Sequence, residues 1–92
     1  MADIKIYKKL QNDSGWEYTV RVKDDNGQTE HLVTVPLTTT QKLTGTDTDP
    51  DELVIKSFEF LLAREKKESI LQKFDINEIG TYFSEWEKEM LK

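Results

Sequence analysis

The chain has 92 residues, of which 34% are charged and 36% hydrophobic, and its net charge is −5. That length allows one domain with a small core, and a 10% aromatic content separates it from disordered segments. The absence of cysteine excludes disulfides, thiolate metal sites and cysteine nucleophiles, and it favours a reducing, cytoplasmic compartment.

The opening Met1-Ala2-Asp3-Ile4-Lys5 lacks the basic and apolar stretches of a signal peptide, so none is expected. The longest apolar runs, Leu53-Val54-Ile55 and Phe60-Leu61-Leu62-Ala63, fall far short of the ~20 residues that span a bilayer, and no membrane partner is expected. Residues 1–45 carry six basic and six acidic side chains, whereas residues 46–92 carry seven and twelve. An acidic chain is a poor general binder of nucleic acid or anionic lipid.

The first third reads as strands. Ile4 and Ile6 alternate with Lys5 and Tyr7, and Trp16, Tyr18, Val20 and Val22 alternate with Glu17, Thr19, Arg21 and Lys23. That period of two marks half-buried strands. Asn12-Asp13-Ser14-Gly15 separates the two runs as a turn. Asp25-Asn26-Gly27-Gln28 predicts a type I′ hairpin centred on Asn-Gly, with Val22 opposite His31 and Val20 opposite Val33. Pro36 cannot donate to a ladder and should end the third strand. Thr38 with Gln41, and Gly45 beyond them, fit either a short capped helix or a threonine-rich loop.

The second half reads as helices. Asp49-Pro50-Asp51-Glu52 is a start signal, with Asp49 as cap and Pro50 in the first position. Val54, Ile55, Phe58, Leu61 and Leu62 share one helical face, and the pattern loses phase near Arg64–Lys67. Glu68 to Lys73 predicts a short linking helix. Asp75 and Glu78 then form a capping box, with Phe74 and Ile79 as its staple. The stripe Ile76, Ile79, Phe83, Trp86 and Met90 follows, with Tyr82 at its edge. Gly80 inside this stripe implies close packing or a local break.

The chemistry-bearing residues are sparse. His31 is the only histidine, and without cysteine it offers no metal or catalytic set, so it reads as a core histidine satisfied locally. Asp47-Thr48-Asp49-Pro50-Asp51 begins like a calcium loop, but Glu52 replaces the needed glycine and Phe58 the closing glutamate. Ser14, Ser57, Ser69 and Ser84 lie in no nucleophile motif. Neither an enzyme nor a cofactor is expected.

Two binding surfaces remain. Lys5, Tyr7, Lys9, Arg21 and Lys23 would share the outer sheet face, where basic and aromatic side chains can track phosphates and stack a base. Glu17 and Glu30 share that face, and an ordinary solvated surface explains it as well. Leu53 and Phe60, with Arg64 beside them, give the first long helix a second apolar face. That face meets either the C-terminal helix or a protein partner, to which Trp86 and Met90 could also contribute.

The segment Arg64-Glu65-Lys66-Lys67-Glu68-Ser69-Ile70-Leu71-Gln72-Lys73-Phe74-Asp75-Ile76, followed by Ile79 and Tyr82-Phe83, resembles the tail of a family of small bacterial and archaeal proteins of uncharacterised function. The resemblance covers roughly the last 40 residues. That pattern places prolines after the Arg-Glu and Tyr-Phe pairs, where this chain has Lys66 and Ser84, which leaves helix breaks there undecided. It implies a compact domain, and no activity, cofactor or site residue.

The sequence thus predicts one α+β domain over residues 1–92. A three-stranded antiparallel meander (1–36) is followed by a loop or short helix (37–48). A helical part (49–92), with two main helices and a short linking one, covers one sheet face. The expected role is a small non-catalytic protein-interaction or regulatory domain, binding itself or another protein. The alternative is a nucleic-acid-binding module.

Overall fold

A computed structural model describes residues 2–46 and 49–91. Asp47 and Thr48, where the calcium-like run starts, lie outside the described residues. Three ten-residue strands, β1 (Asp3–Asn12), β2 (Gly15–Asp24) and β3 (Gly27–Pro36), form an antiparallel meander. Helices α1 (Leu37–Thr44) and α2 (Asp51–Leu62) follow, then a 3₁₀ turn over Lys67–Ser69 and a short strand β4 (Lys73–Asp75). Two five-residue helices, α3 (Glu78–Tyr82) and α4 (Trp86–Met90), close the chain.

The sheet therefore has four strands in the order β1-β2-β3-β4, and β4 runs parallel to β3. This corrects the three-stranded antiparallel expectation. The predicted linking helix over 68–73 is instead a 3₁₀ turn leading into β4. Leu32 N–H donates to the Gln72 carbonyl (2.7 Å) and Ile76 N–H to the Thr34 carbonyl (2.9 Å). The segment thus satisfies its backbone on the β3 edge rather than within a helix.

The alternation of β2 and β3 sorts their side chains as predicted. Trp16, Tyr18, Val20, Val22, His31, Val33 and Val35 are buried on the helix-covered face. The opposite face is open, with Lys5, Tyr7, Lys8, Leu10, Lys23, Glu30 and Thr34 exposed. The hairpin register differs from the type I′ expectation by two residues: His31 faces Val20, and Tyr18 faces Val33. Asp25 and Asn26 form the turn, and Gly27 alone takes a positive φ, 125°. The Asp24 carboxylate accepts the Asn26 N–H (2.8 Å), which sets the turn one residue earlier. A slip of two leaves every side chain on its original face.

Gly15 closes the first hairpin at φ 144°. A Cβ there would fall onto the Val35 carbonyl oxygen and within 2.7 Å of the Leu37 nitrogen. The bare glycine lets β3 pass and lets Leu37 N–H reach the Ser14 carbonyl (2.8 Å), turning the chain into α1. Gly45 ends α1 in the left-handed region, so residues 37–44 are helical. The N-terminus of α1, at Pro36, carries no side-chain cap, because proline has no polar side chain and Thr38, the expected cap, lies inside the helix.

Helix α2 buries two faces. Phe58 lies over His31 of β3 and Phe74 of β4, with ring centroids 5.5 Å and 6.1 Å away. Leu53, Ser57 and Phe60 turn the other way and are buried with the C-terminal helices. There the Ser57 hydroxyl accepts the Trp86 indole N–H (3.0 Å) and donates to the Met90 sulfur (3.5 Å). The Trp86 ring packs 3.3 Å from where a Cβ on Gly80 would sit, so Gly80 is a close-packing position. Asp75 and Glu78 make the two bonds expected of them, but ahead of α3, whose N-cap is Asn77 and has no side-chain cap bond. Asp75 accepts the Asn77 N–H (2.8 Å), and Glu78 accepts the Asp75 N–H (2.9 Å). The expected single C-terminal helix is broken at Phe83 (φ −131°, ψ 95°), which lets Trp86 swing under α2.

Leu53→Ala tests this arrangement. Leu53 is buried against the C-terminal helices, so its truncation is expected to cost about 2–5 kcal/mol in urea unfolding of the monomer. An unchanged midpoint would mean that α2 does not bury this face.

Candidate functional site

Of the expected protein-interface residues, Arg64 alone is exposed. Leu53, Phe60, Trp86 and Met90 are buried, so the second face of α2 is core rather than interface. Arg64 is spent on the same packing. Its guanidinium lies 3.6 Å over the Phe60 ring, bonds the Phe60 carbonyl (3.0 Å), and pairs with Glu85 at 3.2 Å.

The basic outer face is only partly assembled. The β1–β2 register shifts between Ile6 and Lys8, so Lys5 faces Arg21 while Lys9 faces Tyr18. Lys9 therefore leaves the outer face, where it was expected, for the helix-covered side. Its ammonium sits 2.7 Å from Asp49 and 3.2 Å from Asp51. Lys5, Tyr7, Arg21 and Lys23 stay on the open face, joined by Lys8. One face of the Tyr7 ring is already occupied by the Arg21 guanidinium at 3.5 Å, and Arg21 also reaches Glu30 at 3.4 Å.

Asp49 does not cap α2 as expected; the N-cap is Pro50, without a side-chain bond, and Asp51 opens the helix. The two carboxylates take donors from the sheet. Asp49 accepts the Trp16 indole N–H (3.1 Å), and Asp51 accepts the Tyr18 hydroxyl. Burial, reinforced by that bond to a carboxylate, pushes the Tyr18 phenol well above its ordinary 10.0. The Lys9 ammonium holds Asp49 below the usual carboxylate range.

A second polar joint was not anticipated. Lys67 is buried, with its ammonium 2.8 Å from Asp24 and in contact with Glu68. It lowers both carboxyl pKa values, and the Asp24 hydrogen bond raises its own. This joint ties the β2–β3 turn to the 3₁₀ turn. A lysine amid charged neighbours gives no sequence sign of burial.

His31 is buried, as a core histidine should be. Its Nδ1 meets the Leu71 carbonyl (2.7 Å) and its Nε2 the Thr29 hydroxyl (2.8 Å). A carbonyl can only accept, so Nδ1 carries a proton and donates it to Leu71. The ring is only 1% exposed, so neither nitrogen is open to solvent. Among the described residues, no group of three His, Asp or Glu side chains could hold a metal ion, and no helix is long and apolar enough to cross a membrane.

The His31 bond holds the Leu71 backbone at the edge of an apolar groove of about 280 Å³. Leu61, Ile70, Phe74 and Ile79 form its buried floor, with Phe83 half-buried beside them. Leu71 and Tyr82 stand on the rim, 46% and 68% exposed, next to Glu65 and Glu78. The groove draws on the end of α2, the approach to β4 and the whole of α3. Sequence reading missed it because Leu71 was taken into a helix with Ile70. Ile70 is extended (φ −74°, ψ 133°), so neighbouring side chains point to opposite sides. The only available hint was Tyr82 at the margin of its stripe.

No protein-family model, curated protein or solved structure matches the chain.

The polar joints set a pH dependence. Asp24, Asp49 and Glu68 have folded pKa values below their ordinary 3.8, 3.8 and 4.5. Their stabilisation is complete above that range and is lost as pH falls through the lower folded values. Lys9, Lys67 and Tyr18 are raised from 10.5, 10.5 and 10.0, so stability also falls as pH rises beyond about 10. Thermal melts across pH should show both limbs. Lys67→Met should flatten the acid limb by removing the shifts on Asp24 and Glu68; an acid limb of unchanged slope would refute the assignment.

Proposed function

We propose that the protein is a small non-catalytic domain of the cytoplasm that binds another protein through the groove bordered by Leu71 and Tyr82. The observation that carries this reading is the groove itself. Two large apolar side chains stand exposed beside an apolar hollow in a chain of lean hydrophobic content, and exposed apolar surface of this kind marks interaction sites. The non-catalytic part rests on the burial of His31, the one histidine of the sequence, and on the lack of cysteine. The cysteine-free composition also supports the compartment.

Leu71→Asp and Tyr82→Asp test the groove. Both side chains are exposed, so stability should stay within about 0.5 kcal/mol of the parent. In affinity isolation from lysate with nuclease added, a stoichiometric protein retained by the parent should be lost by both variants. Retention of the same protein by both variants would move the interface elsewhere.

A second reading, nucleic-acid binding, is favoured by one observation: Lys5, Lys8, Arg21 and Lys23 share the open sheet face with Tyr7. It expects binding to single-stranded oligonucleotides that weakens steeply with salt and is lost in a Lys5→Glu/Lys23→Glu variant. No binding at low salt would remove it. The carboxylates of Glu17 and Glu30 among these cations, and the Arg21-covered ring of Tyr7, favour the groove.

A further inference from the structure

We infer that the groove takes a peptide segment presenting one bulky apolar side chain with a lysine or arginine beside it; this rests on the groove being the binding site. The floor has the character of a socket for a large apolar side chain. Its aromatic members, Phe74 and Phe83, offer ring faces and edges to such a group. The cavity, about 280 Å³, is at the bottom of the ~300–1,000 Å³ range of pockets that enclose a small molecule. Its apolar surface also continues outward over Leu71 and Tyr82. That shape suits the anchor of a longer chain better than a free ligand.

The rim supplies the charge preference. Among the described residues, Glu65 and Glu78 are the only charged ones lining the groove, and both are acidic. Among the described residues, no hydrogen bond or ion pair engages the half-buried Glu65 carboxylate. Glu78 uses one oxygen to accept the Asp75 N–H and keeps the other free for a ligand. Arg64 is engaged by Glu85 and Phe60 and Lys67 by Asp24 and Glu68, and Lys66 and Lys73, the chain neighbours of Glu65 and Phe74, do not line the groove. Tyr82 adds an exposed ring on which a guanidinium can lie. A chain of net charge −5 further disfavours an acidic segment.

The test is selection of a random twelve-residue peptide phage library on the immobilised full-length protein, followed by affinity measurement of the selected peptides. Peptides carrying a bulky apolar residue with Lys or Arg within a few positions are expected. Their binding should be abolished by Leu71→Asp, weakened about three- to fivefold by Glu65→Gln, and weakened further by added salt. Glu78→Gln keeps an acceptor for the Asp75 N–H and should weaken binding similarly. Peptides lost on Leu71→Asp but free of basic residues, and indifferent to Glu65→Gln, would overturn the charge preference and leave the groove standing. No enriched peptide, or peptides indifferent to Leu71→Asp, would overturn both.

Discussion

A helix that must bury two faces organises this molecule. A chain of 92 residues cannot build a thick core, and only one face of its sheet is covered. Helix α2 resolves this by standing between layers. Phe58 goes down onto His31 and Phe74, while Leu53, Ser57 and Phe60 go outward under the C-terminal helices. A serine in such a position would be a buried polar liability without a partner. Here it takes the Trp86 indole N–H, so the one polar group on the outer face of α2 fixes the largest side chain of the last helix.

The same logic explains how the edges of the sheet are joined to the rest. Trp16 and Tyr18 each bring a donor to the interior margin, and Asp49 and Asp51 arrive at the start of α2 to accept them. The β1 irregularity then delivers Lys9 to neutralise both carboxylates. At the far end of the hairpin, Lys67 does the reverse, bringing a cation to Asp24 and Glu68. Acidic residues that look like ordinary capping and solvated charge in the sequence are therefore the fasteners between strands and helices.

What the sequence discloses follows from the range of each signal. Alternation in β2 and β3 is a local, period-two property, so the buried face was legible even though the turn was misplaced by a residue. The paired bonds of Asp75 and Glu78 and the stop at Gly45 are equally local and equally legible. Strand β4 has three residues, two of them charged, and is defined only by the β3 edge it meets forty residues away. The break at Phe83 needs Trp86 to be rewarded elsewhere, by Ser57. The groove depends on both non-local events, which is why the sequence places Tyr82 only at the edge of a stripe and Leu71 in a linking helix.

The attachment of β4 has a consequence for motion. Residues 70–76 are held to β3 by a short run of ladder bonds and by the His31 contact to Leu71, while the meander is held along three full-length strands. Elements so unequally secured open with unequal free energies, and the lightly attached one exchanges its amide protons first. The Leu71 side of the groove therefore belongs to a cooperative unit that can detach while the antiparallel sheet stays intact.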